Sequence, residues 1–437
     1  MMQPSNSMGG PEMAPHTPQR SGRPGEPGAP LDMGPKSPPG PLLAGVTVLD
    51  FSRVLAGPYC TRLLADLGAR VIKVERPGEG DETRRGFMQI DAARSDQATY
   101  FLRINAGKLS VGIDLAHPDA KAVVFDLVRR ADVVVENFLP GVMAKLGLDY
   151  AAVAAVRPDV VYCSISGYGQ TGPLSGAPAF ALLISAISGL MHLEQQGDPA
   201  PRPGYLQAAD VLSGTHAFGA ISAALLRRGH TGEGAHLDVS MLETLVAAED
   251  ITFGSVLNGG EEYPGPRAGM IVHAIGGRHL ALQYVGGPQL WARLAGAMGR
   301  PELATDPRFA TPAARREHWP LIRPIVGGWL DGFSTIEAAM DVLRAARVPC
   351  APVLAPREVA AHPQMTARHA FPAVPHPTHG EVRITASPFH VDGAPVAPAG
   401  GAPYRVGEHT RAVLREVLGY PDERIEALTK CGAIETP

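Results

Sequence analysis

The stretch GVTVLDFSRVLAGPYCTRLLADLGARVIKVERP, Gly45 to Pro77, sets two short β-branched runs on either side of a segment whose apolar residues recur at helical spacing. GVTVLDFS reads as a strand, GPYCTRLLADLGA as a helix and RVIKVERP as a second strand, together a βαβ unit. The rhythm continues through KLSVGIDL, the helical PDAKAVVFDLVRRA opened by Pro118, DVVVENF, a shorter helix around Tyr150 to Val156, and VVYCSISGYG. Strands that read as nearly continuous apolar runs are covered on both faces. The expected architecture is therefore α/β, with a doubly wound, Rossmann-like parallel sheet.

Outward from that frame, polar turn-rich segments leave the carboxyl ends of the strands: FSRVLAGP after the first, VERPGEGDETRR after the second, ENFLPG after the fourth and SGYGQTGP after the fifth. Ligands of open α/β sheets bind at that edge. The first turn offers Gly57-Pro58 and no GxGxxG, which disfavours a nicotinamide dehydrogenase, and the absence of GxxxxGK[ST] removes the ordinary nucleotide triphosphatase. Arg53, Arg76, Lys108 and Lys145, with Arg84 and Arg85, fall near the same strand ends. A phosphate-bearing ligand would use them, although each taken alone also fits a solvated surface charge.

With 437 residues the chain has room for two domains, and 45% hydrophobic against 19% charged residues suits a packed core. A net charge of -4 gives no electrostatic footprint for nucleic acid. Cys60, Cys163, Cys350 and Cys431 are scattered without metal spacing, as expected in a reducing cytoplasm. The apolar run Phe180 to Leu193 is interrupted and too short to span a bilayer, so no membrane partner is expected from it. Among fifteen histidines, His376 and His379 have no third ligand at a convincing spacing, and no metal is assigned. The Pro/Gly/Ser-rich N-terminus reads as a disordered tail. Short strands and helices from about Ile271 to Val353 read as a smaller second α/β domain; the Pro- and His-rich AHPQMTARHAFPAVPHPTHGEVRITASPF reads as a long returning connection, and the helix GEHTRAVLREVLGY as the close of the chain.

The lone acid in YLQAADVLSGTHAFGAISAALLRR, Tyr205 to Arg228, demands a reason. A buried, unpaired carboxylate is costly, so Asp210 must cap something, pair with something or react with something. Asp before an apolar helical run is a common N-cap. His216, six residues on, falls on roughly the opposite side of the helix and is not expected to assist it.

Taken together, VTVLDFSRVLAGPYCTRLLADLGARVIKVERPGEGDETR, INAGKLSVGIDL, ADVVVENFLPGVMAKLGL, VYCSISGYGQTGP and AADVLSGTHAFGAISAALLRR resemble the class III coenzyme A transferases. That family includes formyl-CoA and carnitine CoA-transferases and alpha-methylacyl-CoA racemase, and the resemblance runs from about Leu43 to the C-terminal APYRVGEHTRAVLREVLGY. It implies a tail over 1–42, a large CoA-binding domain from 43–245 and 380–437, a small domain with its linkers over 246–379, and an interlocked homodimer. It implies acyl-CoA and a carboxylic acid as substrates, with no permanently bound cofactor.

Residue by residue, the resemblance implies that Val54, Leu55 and Ala56 offer backbone contacts to coenzyme A, that Arg76 meets its adenosine part, and that Lys108 sits near its phosphates. Asn137 and Phe138 would line the adenine and pantetheine path, with Lys145 where relatives commonly carry arginine. Asp210 would be the nucleophile, forming an acyl anhydride and then an aspartyl-CoA thioester. Phe180 stands where racemases of the family place His and many transferases Tyr, and Ala181 where an acid commonly follows. Phe180 cannot move a proton, which leaves racemase, or a non-catalytic acyl-CoA-binding paralogue, as the alternative readings. The glycine-rich NGGEEYPGPRAG, Asn258 to Gly269, falls where relatives carry a covering loop; a flexible linker fits equally.

Overall fold

In the computed structural model, residues 41–86, 88–195, 198–249, 252–262, 269–285 and 289–437 are described. The expected tail over 1–42 lies outside them except for Pro41 and Leu42.

Chain order begins β1 (Thr47–Asp50), α1 (Ala56–Asp66), β2 (Arg70–Glu75), α2 (Thr99–Asn105), β3 (Leu109–Ile113), α3 (Ala120–Val128), β4 (Val133–Glu136), α4 (Val142–Leu146), α5 (Tyr150–Val156) and β5 (Val161–Ser166). It continues with α6 (Ala181–Ile187), α7 (Leu190–Glu194), the long α8 (Ala208–Thr231), β6 (Ala235–Ser240), α9 (Met241–Ala248) and α10 (Thr252–Val256). Strands β1 to β6 pair in parallel in the order β3-β2-β1-β4-β5-β6. The order reverses between β1 and β4, and a crevice opens outside the carboxyl ends of strands at such a switch. Val48, Val71, Val133, Val134 and Val161 are fully buried, the result of helices covering both faces.

On one face α8 packs against α1: Ala217, Ile221 and Ala224 share a core with Ala56, Cys60 and Leu64. Among the described residues α8 alone is long and apolar enough, by length and composition, to cross a membrane. Its small residues Ala209, Ser213, Gly214 and Ala217 are buried in the fold. At Gly214 the two helices approach too closely for a side chain, because a Cβ there would lie 2.6 Å from the Ala56 carbonyl oxygen.

A second, separate core is built from β7 (Met270–Ile275), β8 (Arg278–Gln283), α11 (Leu290–Ala297), α12 (Pro312–Glu317), α13 (Trp319–Leu330), α14 (Ile336–Ala345) and β9 (Cys350–Pro352). Its three strands are antiparallel, and Trp291, Phe309, Ile322, Leu330 and Leu343 fill it. After α15 (Pro356–Ala360) and α16 (Pro363–Ala367), the segment expected to be a plain connection contains the hairpin β10 (Ala373–His376) and β11 (Gly380–Arg383), followed by the short pair β12 (His390–Val391) and β13 (Ala394–Pro395).

The end of the chain departs from expectation. Helix α17 (Thr410–Glu416) does not close it, since α18 (Asp422–Lys430) and a two-residue strand β14 (Ile434–Glu435) follow. Strand β14 pairs antiparallel with β3, Ile434 opposite Ile113, and becomes the outer edge of the main sheet. The Glu435 carboxylate also accepts the Gly78 N–H at 2.7 Å, tying the terminus to the turn after β2.

Candidate active site

Beneath the carboxyl ends of β1 and β2 lies a balanced set of buried charges: Asp50, Glu75 and Asp81 against Lys73, Arg84 and Lys108. Arg84 grips Glu75 through two hydrogen bonds of 2.8 and 2.7 Å, and Lys73 lies 3.0 Å from Asp81. Burial alone would raise Glu75, but Arg84, Lys73 and the Ser110 hydroxyl outweigh it and hold the carboxyl at about 2. Burial likewise opposes ionised Asp50; Lys108 and Lys73, with the Ser52 and Thr61 hydroxyls, keep it below its usual value. This lattice was not visible in the sequence, because its members lie up to 58 residues apart and each reads alone as an ordinary surface charge.

Lys108 belongs to that lattice. Its ammonium donates to Asp50 Oδ2 at 3.1 Å, the Pro58 carbonyl at 3.0 Å and Asn105 Oδ1 at 2.9 Å, and its side chain is fully buried. All three donors are used, so it holds the turn between β1 and α1 and presents nothing to a phosphate. Burial brings it down to about 8, which leaves it charged at pH 7.

The turn it holds carries the residues expected at a ligand. Val54 has φ 67, a left-handed conformation that a β-branched residue adopts only under constraint. The constraint is visible: Asn137 accepts the Arg53 N–H at 2.9 Å and donates to the Arg53 carbonyl at 2.8 Å, while Asp81 accepts the Val54 N–H at 3.4 Å. Asn137 thus clamps the two loops of the switch point together. Leu55 and Ala56 are buried, and Gly57 has no room for a Cβ, which would fall 2.2 Å from that of Ser52.

Two cavities flank this turn and share Glu82 in their walls. The smaller, about 640 Å³, is lined by Arg53, Arg76, Arg85, Phe138 and Leu146 among others. Arg76 is mostly exposed with Glu79 at 3.2 Å, and Arg53 lies over the Phe138 ring at 5.6 Å. Lys145 is exposed at the end of α4, next to the lining Leu146. The larger cavity, about 950 Å³, is walled by Met88, Tyr100, Arg103, Gln207, Phe371 and Ile384.

Asp210 sits where these features meet. It does not cap its own helix: Gln207 is the N-cap of α8, without a side-chain bond, and Asp210 lies in the first turn. Its carboxylate accepts the backbone N–H of Ala56, the first residue of α1, whose own N-cap Leu55 has no side chain to offer. Two helix N-termini therefore favour its charge. Burial still wins and pushes Asp210 up to about 6. Its negative charge is felt by Tyr100, which burial first and Asp210 second push up to about 12.

Of the remaining expectations, Phe180 is 69% exposed, and Ala181 is buried in a small cluster with Ile184, Ala209, Met241 and Leu245, beside the catalytic candidate's own turn. His216 is exposed, its Nδ1 2.8 Å from the Leu212 carbonyl. Half of the glycine-rich loop, 263–268, lies outside the described residues. His117, Asp119 and Cys431 group within 4.8 Å of one another, two of the three exposed, with His117 Nδ1 already accepting the Asp119 N–H at 3.2 Å.

The family model of CoA-transferase family III matches residues 43–410, which takes in both cavities and Asp210. The chain belongs to this family. As a CoA-transferase it is 34% identical to succinyl-CoA:glutarate CoA-transferase of Mus musculus, with 90% of each chain covered. It is 31% identical to formyl-CoA:oxalate CoA-transferase of a Bradyrhizobium strain, covering 90% of this chain and 98% of the other. It is 36% identical to acetyl-CoA:oxalate CoA-transferase of Acetobacter aceti over 77% of this chain and 86% of the other. Among solved structures, a CAIB/BAIF family protein from Brucella suis superposes with a TM-score of 0.75 at 30% identity, covering 86% of this chain and 99% of that one. CoA thioesters are the substrates of this CoA-transferase family, and the chain is an enzyme of that class.

The close approach at Gly214 gives a test of the geometry around Asp210, the candidate residue of this CoA-transferase. Gly214→Ala should push α8 from α1 and move Asp210, one turn earlier, off the Ala56 N–H. Overpacking of this kind costs about 1–3 kcal/mol, and a displacement near 1 Å lowers turnover by about 100-fold. Thermal melting and kcat measured on the same preparation check both parts.

Proposed function

We propose that the enzyme moves coenzyme A from an acyl-CoA donor to a carboxylic acid acceptor, with Asp210 as covalent nucleophile. The observation that carries this reading is a largely buried carboxylate with one backbone donor, three residues after Gln207 in the wall of the larger cavity and bonded to the turn whose first residue, Arg53, lines the arginine-rich one. In the first step the Asp210 carboxylate attacks the thioester carbonyl, the C–S bond breaks, and CoA leaves as thiolate, giving a mixed anhydride. The thiolate then attacks the Asp210 carbonyl and releases the donor's acid, leaving an aspartyl-CoA thioester. The acceptor carboxylate repeats these two steps in reverse, and Asp210 is regenerated.

Coenzyme A is assigned to the smaller cavity, with Arg53, Arg76 and Arg85 toward its phosphates, Phe138 against its adenine or pantetheine, and Lys145 at the rim. The strained turn Val54-Leu55-Ala56 leads from there to Asp210, and the backbone of that turn is offered to the pantetheine arm. Lys108 acts beneath the turn as its anchor. Phe180, Leu183, Ile187, Leu206 and Leu226 are each exposed, which supports burial of apolar side chains by a second copy, as in an interlocked homodimer built from a sheet domain and a small domain. Four free cysteines support a cytoplasmic setting.

Only ionised Asp210 attacks, so kcat/KM should rise with pH through about 6 and then level off. A profile flat from pH 5 to 8 would remove Asp210 from the rate-determining attack. The direct experiment is the intact mass of the enzyme after brief incubation with formyl-, acetyl- and succinyl-CoA, followed by peptide mapping. A mass gain on Asp210 is expected. CoA binding without any adduct, or exchange of an α-proton with deuterated water in its place, would overturn the reading.

A further inference from the structure

Among the described residues, the larger cavity contains a cation without a counter-ion. Arg103 lies on α2, one helical turn from Tyr100, and both line the cavity together with Gln207, three residues before Asp210. The backbone carbonyl of Arg103 is taken by the Arg62 guanidinium. Among the described residues its own guanidinium has only the Tyr100 ring, 5.7 Å to the centroid. Other partly or fully buried arginines of the main sheet are paired: Arg62 with Asp66, Arg84 with Glu75, Arg94 with Asp96 and Arg228 with Asp159.

The acid in the same wall, Glu82, faces Arg53 at 3.6 Å. Arg383 also lines the cavity, so its charge is net positive while Met88, Phe371 and Ile384 make its walls apolar. A half-buried guanidinium on an apolar wall is compensated by an anion, and its planar fork suits a carboxylate. About 950 Å³ leaves room for several methylenes along the wall from Arg103 toward Gln207.

We propose that Arg103 is a specificity-determining residue that binds the second carboxylate of a dicarboxylic acid whose first carboxylate exchanges coenzyme A at Asp210. The inference rests on the transferase reading above. Tyr100 and Gln207 connect the two ends in the wall: Tyr100 is one turn from Arg103, Gln207 one turn before Asp210, and the Tyr100 hydroxyl feels both the Asp210 carboxylate and the Arg103 guanidinium. Met88, Phe371 and Ile384 would contact the methylene chain.

The test compares glutarate and adipate as acceptors with the matched monoacids valerate and hexanoate, for the wild-type enzyme, Arg103→Gln and Arg103→Lys. Adduct formation on Asp210 from acetyl-CoA is measured for each. The wild-type enzyme is expected to prefer the diacids. Arg103→Gln is expected to lower the diacid-to-monoacid ratio of kcat/KM by about 10- to 100-fold, the range for losing one charged hydrogen-bond partner, mainly through KM, and Arg103→Lys to recover part of it. Adduct formation by the wild-type enzyme without any diacid preference, or an Arg103→Gln ratio within two-fold of wild type, would overturn the inference and leave the transferase reading standing. A wild-type enzyme that forms no adduct with formyl-, acetyl- or succinyl-CoA would bring down both. If Arg103→Gln forms no adduct, the Arg103→Lys ratio decides, and wild-type selectivity there overturns the need for the fork.

Discussion

Replacing Asp210 by Asn is expected to lower kcat by at least about 1,000-fold while making the protein more stable. The first effect follows from the loss of the attacking oxygen, since an amide cannot form the acyl anhydride on which the proposed exchange depends. The second follows from the same burial that tunes the group. Asp210 titrates at about 6 in the fold, above its ordinary value of 3.8. Between those values the native state holds a proton that the unfolded chain has released, so this group's contribution to stability falls as pH rises and is at its lowest above pH 6. Asn removes that penalty and can still accept the Ala56 N–H. A gain of about 1–2 kcal/mol at pH 7 is expected, allowing for residual solvent at the site. Turnover, CoA affinity and thermal melting measured together check this. Retained turnover would remove Asp210 as nucleophile, and a lower melting temperature would show that its carboxylate is structural.

Lys108→Met is expected to be among the most damaging substitutions outside the site. It leaves Asp50 fully buried beside two hydroxyls with one of its two lysine partners gone, and breaking a buried pair on one side costs about 3–5 kcal/mol. The Asn105 side chain and the Pro58 carbonyl also lose their donor. Adding Asp50→Asn to Lys108→Met should recover part of the loss, because the stranded charge is then removed. Denaturant unfolding of the two variants measures it. A Lys108→Met protein with wild-type stability and weakened CoA binding would return Lys108 to direct contact with the ligand.

The alternation of strands and helices from Val46 to Ser166 was legible because parallel strands buried on both faces must be written in β-branched residues, and the turns between them carry glycine, proline and charge. The strand edge that carries the smaller cavity was legible for the same reason. What one segment does to another was not. Asp210 looked like the cap of its own helix, and the N–H it accepts belongs to Ala56, 154 positions earlier by subtraction of the two numbers. Lys108 and Arg103 show the opposite failures: a lysine resembling a phosphate ligand is sealed inside the sheet, and an arginine in an unremarked helix stands without an ion-pair partner among the described residues, in the wall of the larger of the two cavities. Charge type is visible in a sequence, but whether a charge has a partner depends on tertiary contacts. Strand β14 was missed because two residues carry no periodicity.

That last strand has a consequence for how the protein comes into being. Until Ile434 and Glu435 leave the ribosome, β3 is an open edge and the turn at Gly78 lacks its carboxylate partner. Domains usually fold as they emerge, N-terminal part first. Here a sheet whose other strands all lie before residue 241 is finished by β14, across a separation of more than 300 positions by subtraction of 113 from 434. Completion of the main sheet thereby waits for β14, and a nascent chain stalled before Ile434 would expose an unpaired strand edge, the feature through which unfinished proteins find one another.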